Sequence, residues 1–219
     1  MQYSLILACP VLGRCPHQEP HYQEGVDVDY IYVSGPGPCY CPMAPHQARG
    51  PIPDPLDAYC AIYDAFNEGL KRAEGELVGM IHVCDRFAST SVIADAAQTL
   101  AATKAHAVYG DLAYIAGHHS DQPLRYWHSG HISPENIACG WTPPLASLIA
   151  RRDAFERLRA DNGMYFATTP YPDPWRLAFL AMTVGMGMRL AYVPKVWLQI
   201  PIYSPTNQVM ARMIGCQDL

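Results

Sequence analysis

Apolar positions along the chain fall into runs whose period changes from two to about 3.6 and back, and the changes mark the elements. Tyr3–Ala8 and Val28–Val33 are short apolar runs that predict strands. Ala58, Ile62, Ala65, Phe66, Gly69 and Ala73 recur every three or four positions, while Asp64, Asn67, Glu68, Lys71 and Arg72 fill the opposite side. That is an amphipathic helix, with Asp57 as its expected cap, Gly75 past its end and a Glu68–Arg72 pair along its surface. Leu77–Val83 follows as a near-continuous apolar run, expected of a strand covered on both faces, with His82 as its only polar side chain and Cys84–Asp85 where it runs out. Further on, the pattern predicts a helix over Ser89–Lys104 and a strand over Ala107–Ile115. A turn over Gly117–Pro123 returns through Leu124–Trp127 as a hairpin, and a short helix starts at Ser133-Pro134-Glu135. A strand at Ala146–Ala150, helices at Asp153–Ala160 and Asp173–Met182, and late strands at Arg189–Val193 and Val196–Ile200 complete the reading. Strands alternate with helices in the first half and mix in the second, which favours an α/β sheet, mostly parallel, with an antiparallel addition.

Residues 34–55 have neither period. Ten of the 20 prolines lie before residue 56, and this proline- and glycine-rich stretch is expected to be a lid. The 219 residues suffice for one domain with a real core, and 50% hydrophobic against 16% charged residues excludes a disordered chain. A net charge of −5 speaks against a uniform nucleic-acid coat. The eight cysteines lack the spacing of a disulfide scaffold, and Arg189 and Lys195 interrupt the best candidate for a membrane span, Leu177–Ile200. The expectation is a cytoplasmic protein with reduced thiols and no transmembrane segment.

Three blocks resemble the family 2 glycosyltransferases of the GT-A fold: IYDAFNEGLKRAEGELVGMIHVCD, VYGDLAYI with the following RYWHSG, and GWTPPLASLIARRDAFERL…NGMY with YPDPWRLAFL. The likeness spans roughly residues 28–200 in the family's order. It implies a single domain over 1–219, an open, mostly parallel mixed sheet flanked by helices. Residues 1–115 would be the nucleotide-sugar-binding half and 116–219 the acceptor-side half. The implied activity is inverting transfer of a sugar from a nucleotide-sugar donor to an acceptor hydroxyl, on a saccharide or another molecule. A divalent metal, Mn²⁺ or Mg²⁺, would neutralise the leaving diphosphate, and a carboxylate would take the acceptor proton.

Carried over residue by residue, Asp85 falls on the last acid of the family's metal motif and is the expected metal ligand. Cys84 replaces the preceding acid and His82 an asparagine. Pro10, Ser34 and Gly35 at the ends of the first two strands join Tyr59, His82, Cys84, Asp85 and Arg176 as the donor-binding set; Ser34 and Tyr59 stand where the family has acids. Leu145 replaces the histidine of the PPH motif. The family's catalytic-base position falls on Pro170, and Asp173, three residues on, is the candidate base, with a plain helix cap as the competing reading. Trp127, His128, His131 and Trp141 cluster around the connection to the second half, and Trp127, His131 and Trp141 are the acceptor-side candidates. Asp64 and Asn67 read as helix-surface or scaffold groups. Cys39, Cys41 and His46, with Cys15 and His17 nearby, offer sulfur and imidazole ligands for a zinc site in the loop; packed thiols are the alternative. Two other functions remain open: a catalytically silent GT-A-like binding or assembly module, and a transferase acting on a hydroxymethylated nucleic-acid base.

Overall fold

The computed structural model describes residues 2–9, 22–34, 55–117, 122–168 and 173–202, with backbone only at 9, 34, 55–60 and 202. Pro10, Gly35, Pro170, the loop's zinc candidates Cys39, Cys41 and His46, and Cys15 and His17 all lie outside these residues.

The described strands are β1 (Gln2–Cys9), β2 (Asp27–Ser34), β3 (Leu77–His82), β4 (Arg86–Phe87), β5 (Ala107–Ala116), β6 (Pro123–Trp127), β7 (Ile149–Arg151) and β8 (Leu190–Ile202). They form one 8-stranded sheet in the order β2-β1-β3-β7-β5-β8-β4, with β6 paired to β5. β2, β1 and β3 pair in parallel, as do β5 and β8. β7 runs antiparallel between β3 and β5, and β4 and β6 are antiparallel additions. The helices are α1 (Pro55–Arg72), α2 (Val92–Thr103), α3 (Pro134–Ala138), α4 (Arg152–Glu156) and α5 (Pro174–Leu180). α1, α4 and α5 cover one face of the sheet through Tyr63, Phe66, Phe155, Trp175 and Phe179. α2 covers the other through Val92, Ile93, Ala96 and Leu100. The apolar run of β3 is thus explained, since Val78 and Met80 face one layer and Leu77 and Ile81 the other.

Several expectations are corrected. α1 opens at Pro55, where a missing N–H costs nothing, so Asp57 lies inside the helix instead of capping it. Gly75 is needed for close approach, because its N–H donates to Ser4 Oγ (2.8 Å) and a Cβ would stand 2.5 Å from the Ser4 nitrogen. Glu68 pairs with Lys71 at 2.6 Å, and Arg72 donates instead to the Tyr32 carbonyl. α2 starts at Val92, and its amino end is satisfied from afar: the buried Gln23 accepts the Ile93 N–H at 3.0 Å. Leu145–Ser147 is a 3-10 turn ahead of the short β7, since the Ser147 hydroxyl turns inward to the Gly110 carbonyl. α4 ends at Glu156, and α5 passes into a π turn at Ala181–Gly185. The two late strands are one, β8, whose register against β5 jumps from Tyr109↔Tyr192 to Asp111↔Val196. This bulge absorbs Pro194, which has no N–H for the ladder.

Candidate active site

The sheet order dictates where a ligand should lie. β1 is flanked by β2 on one side and β3 on the other, so the chain leaves β1 in one direction and returns in the other. Such a reversal opens a crevice beyond the carboxyl ends of the two diverging strands. Those ends are level: Cys9 pairs with Ser34, Ala8 with His82, and the Val83 N–H donates to the Ala8 carbonyl. Ser34 and the end of β3 therefore flank the same strand end, about 10 Å apart across two inter-strand spacings.

The turn after β3 closes on itself. The Asp85 N–H donates to the His82 carbonyl (2.9 Å), and the His82 N–H donates to Asp85 Oδ2 (3.1 Å). The Cys84 N–H donates to His82 Nδ1 (3.2 Å), which leaves the neutral ring's proton on Nε2. Asp85 is only 7% exposed. Burial pushes its carboxyl from 3.8 up to about 7, and the His82 N–H only partly offsets this. Its charge reaches Tyr114 on β5, whose hydroxyl is pushed up to about 12, first by burial and then by Asp85. A buried carboxylate at a strand end is a group that a cation would stabilise. Among the described residues, no three His, Cys, Asp or Glu side chains come together to hold a metal by themselves.

Cys84, expected at the donor, instead buries its side chain in the α2-side core with Leu7, Val83 and Leu112. Tyr59 lies in α1, where only the backbone is described. Asn67 is scaffold: it is 1% exposed, its Oδ1 accepts the N–H groups of Tyr165 and Phe166, and its Nδ2 donates to the Phe166 carbonyl. Asp173 caps α5, with Oδ1 accepting the Trp175 N–H at 2.9 Å and standing 3.4 Å from the Tyr63 hydroxyl of α1. The guanidinium of the exposed Arg176 lies against Gly140, where a Cβ would be 3.1 Å from Nη1. Arg151 reaches the Leu100 and Ala105 carbonyls at the end of α2, a structural use of its charge.

The acceptor-side trio is divided by the sheet. Trp127 packs on the α2-side core, whereas Trp141 packs between Tyr109 and Phe179 on the other face. His131 stands edge-on to Tyr192 at 5.0 Å, and Tyr192 stacks on Tyr109 at 5.4 Å.

Beside Tyr192 lies a second buried acid that sequence reasoning passed over. Asp111 is 4% exposed; its Oδ1 accepts the Ser129 N–H and the Tyr192 hydroxyl, both at 2.8 Å, and its Oδ2 is 3.4 Å from His128 Nδ1. The signal was a lone charge in the apolar run AVYGDLAYI, preceded by glycine. Gly110 is required there, because the Trp197 ring would meet a Cβ at 2.5 Å. The bulge frees the Gly110 carbonyl, which accepts the hydroxyls of Ser129 and Ser147.

No family model matches the chain, and no curated protein sequence matches it. Solved structures do. S. aureus TarS 1-349 superposes with a TM-score of 0.59 at 15% identity, over 98% of this chain and 64% of that one. The same protein in complex with UDP-GlcNAc gives a TM-score of 0.57 at 13% identity, over 93% of this chain and 59% of that one. The chain thus spans 59% to 64% of the length of these structures. At such identities the likeness shows the fold alone, and the fold is GT-A-like.

Proposed function

We propose that the chain binds a nucleotide sugar across the carboxyl ends of β1, β2 and β3 and transfers the sugar, with inversion, to an acceptor hydroxyl. The observation that carries this reading is the position of Asp85, buried beside the crevice where the sheet order reverses. The nucleoside would lie toward Ser34 and the end of β2, and the diphosphate toward the turn at His82–Asp85. Asp85 is the residue of this turn that would hold a divalent cation, Mn²⁺ or Mg²⁺, with few other ligands from the protein. When bound, the cation would take up the negative charge that develops on the leaving group. Asp173, at the amino end of α5, has a positioning duty in this reading: it caps that helix beside the Tyr63 hydroxyl. The acceptor approaches from the side of His131 and Trp141. Among the described residues no helix is long and apolar enough to cross a membrane.

The name of the UDP-GlcNAc-bound neighbour suggests the first probe. Titration calorimetry and thermal shift with UDP-GlcNAc and with UDP, each with and without Mn²⁺, should give binding that strengthens with the metal. Asp85→Ala should lose most of that metal-dependent gain. If neither these nor other nucleotide sugars raise the melting temperature, the donor reading fails, and a binding or assembly role on the same fold takes its place.

A further inference from the structure

We propose that Asp111 and His128 form the proton-accepting pair for the acceptor hydroxyl, an inference that rests on the sugar-transfer reading above. The arrangement is a buried carboxylate holding an exposed imidazole. Asp111 sits at the β5 bulge, and the His128 side chain is 77% exposed. Oδ1 of Asp111 is already taken at 2.8 Å by the Ser129 N–H and the Tyr192 hydroxyl, which supply the donors that its burial requires. Oδ2 is left facing His128 Nδ1 at 3.4 Å. The imidazole adds little to the acid's satisfaction, so the benefit runs the other way: the acid orients the ring.

A carboxylate accepts and does not donate, so it selects the tautomer with the proton on Nδ1 and the lone pair on Nε2. The ring is also steered by Tyr126 on β6, stacked at 6.1 Å and 19°. The titratable groups around the pair are Asp111 and Tyr109 on β5, Tyr126 on β6, Tyr192 on β8, and His131 against Tyr192. The bulge that aims Asp111 is itself braced, since Ser129 and Ser147 both donate to the Gly110 carbonyl it frees.

In the reaction, Nε2 of His128 takes the proton of the acceptor hydroxyl as its oxygen bonds to the anomeric carbon. The bond from that carbon to the diphosphate oxygen breaks, and its electron pair leaves with the diphosphate. The imidazolium that forms is paired with the Asp111 carboxylate and afterwards releases its proton to solvent. Pro170 stands where the family resemblance puts an acid, and this pair takes up the task for which Asp173 is the other candidate.

Long-range ¹H–¹⁵N correlation of the histidine rings at pH 8 reads the tautomer directly. His128 should show Nδ1–H, and Asp111→Asn should move it toward Nε2–H. In turnover, followed as UDP release from UDP-GlcNAc, His128→Gln should lose on the order of 10²-fold or more in kcat while UDP-GlcNAc binding stays within about twofold. His128 is exposed, so this variant keeps the test valid even where Asp111→Asn fails to fold. A wild-type Nε2–H tautomer overturns the pair. So does His128→Gln with near-normal turnover in a chain that is otherwise active. A wild-type chain that neither binds nor turns over UDP-GlcNAc or any other nucleotide sugar overturns the sugar-transfer reading and, with it, the pair's use in that reaction.

Discussion

Asp85 carries an electrostatic burden that can be measured. Its carboxyl is raised from 3.8 to about 7, chiefly by burial. Between those two values the folded chain keeps a proton that the unfolded chain has released. Stability from this group is therefore fully present below 3.8, falls as pH rises, and is lost above about 7. Asp85→Asn keeps an oxygen for the His82 N–H and removes the charge. In metal-free buffer it should melt above the parent at pH 8.5, by on the order of a few kcal/mol, and show little gain at pH 4.5. Thermal unfolding at the two pH values decides it; equal gains at both would mean that the carboxylate is not desolvated. Asn67 offers the opposite case. Asn67→Ala strands the N–H groups of Tyr165 and Phe166 in the core and should lose roughly 2–4 kcal/mol in urea unfolding. These two positions also differ in how legible they were. Asp85 could be read from the chain because an apolar run ends at it. Asp111 showed only as a lone charge in an apolar run, because the donors that make a buried acid tolerable come from Ser129 and Tyr192, 18 and 81 residues away.

At the level of elements, local pattern carried most of the longer strands and the long helices, and long-range contact decided the rest, the short β4 included. The ten-residue run of β5 and the amphipathic face of α1 are visible in the chain because packing on both sides repeats at a fixed period. The bulge between β5 and β8 is not, since it depends on Trp197 lying across Gly110. Gly110→Ala would drive a methyl to 2.5 Å from that ring and 2.9 Å from the Lys195 carbonyl. A loss of roughly 1–3 kcal/mol or more is expected in chemical unfolding, along with a shift of the Asp111 and His128 resonances as the bulge reshapes. Asp173 was legible twice over, as a cap and as a candidate base; it does cap α5, and substitution separates the two roles. Asp173→Ala should lose about 1 kcal/mol through the Trp175 N–H. Asp173→Asn, which keeps a capping oxygen, should leave sugar transfer within about tenfold of the parent. A loss of 10²-fold or more at unchanged melting temperature would instead make this carboxylate the base.

On the scale of the whole molecule, the sheet sorts the chain into two edges with different duties. At the amino edge, Arg151 and Arg189 close the end of α2, and Gly75 packs onto Ser4. At the carboxyl edge, β1, β2 and β3 end level, and the turn at His82–Asp85 directs the N–H groups of His82, Cys84 and Asp85 to its own acceptors. Those turn hydrogen bonds span two or three residues and sit at an end of the sheet, so local opening, not global unfolding, should govern their exchange. A ligand bound against the turn must suppress that opening in proportion to its occupancy. Hydrogen exchange by mass spectrometry with saturating UDP and Mn²⁺ should therefore slow peptides covering 82–86 and the end of β2 at 33–34. Peptides covering the start of β3 at 77–78 and the start of β5 at 107–108 should not change beyond the global gain in stability. Protection centred on α2 or on the amino edge would put the nucleotide on the wrong side of the sheet. It would then separate the fold's resemblance to sugar transferases from any use this chain makes of that crevice.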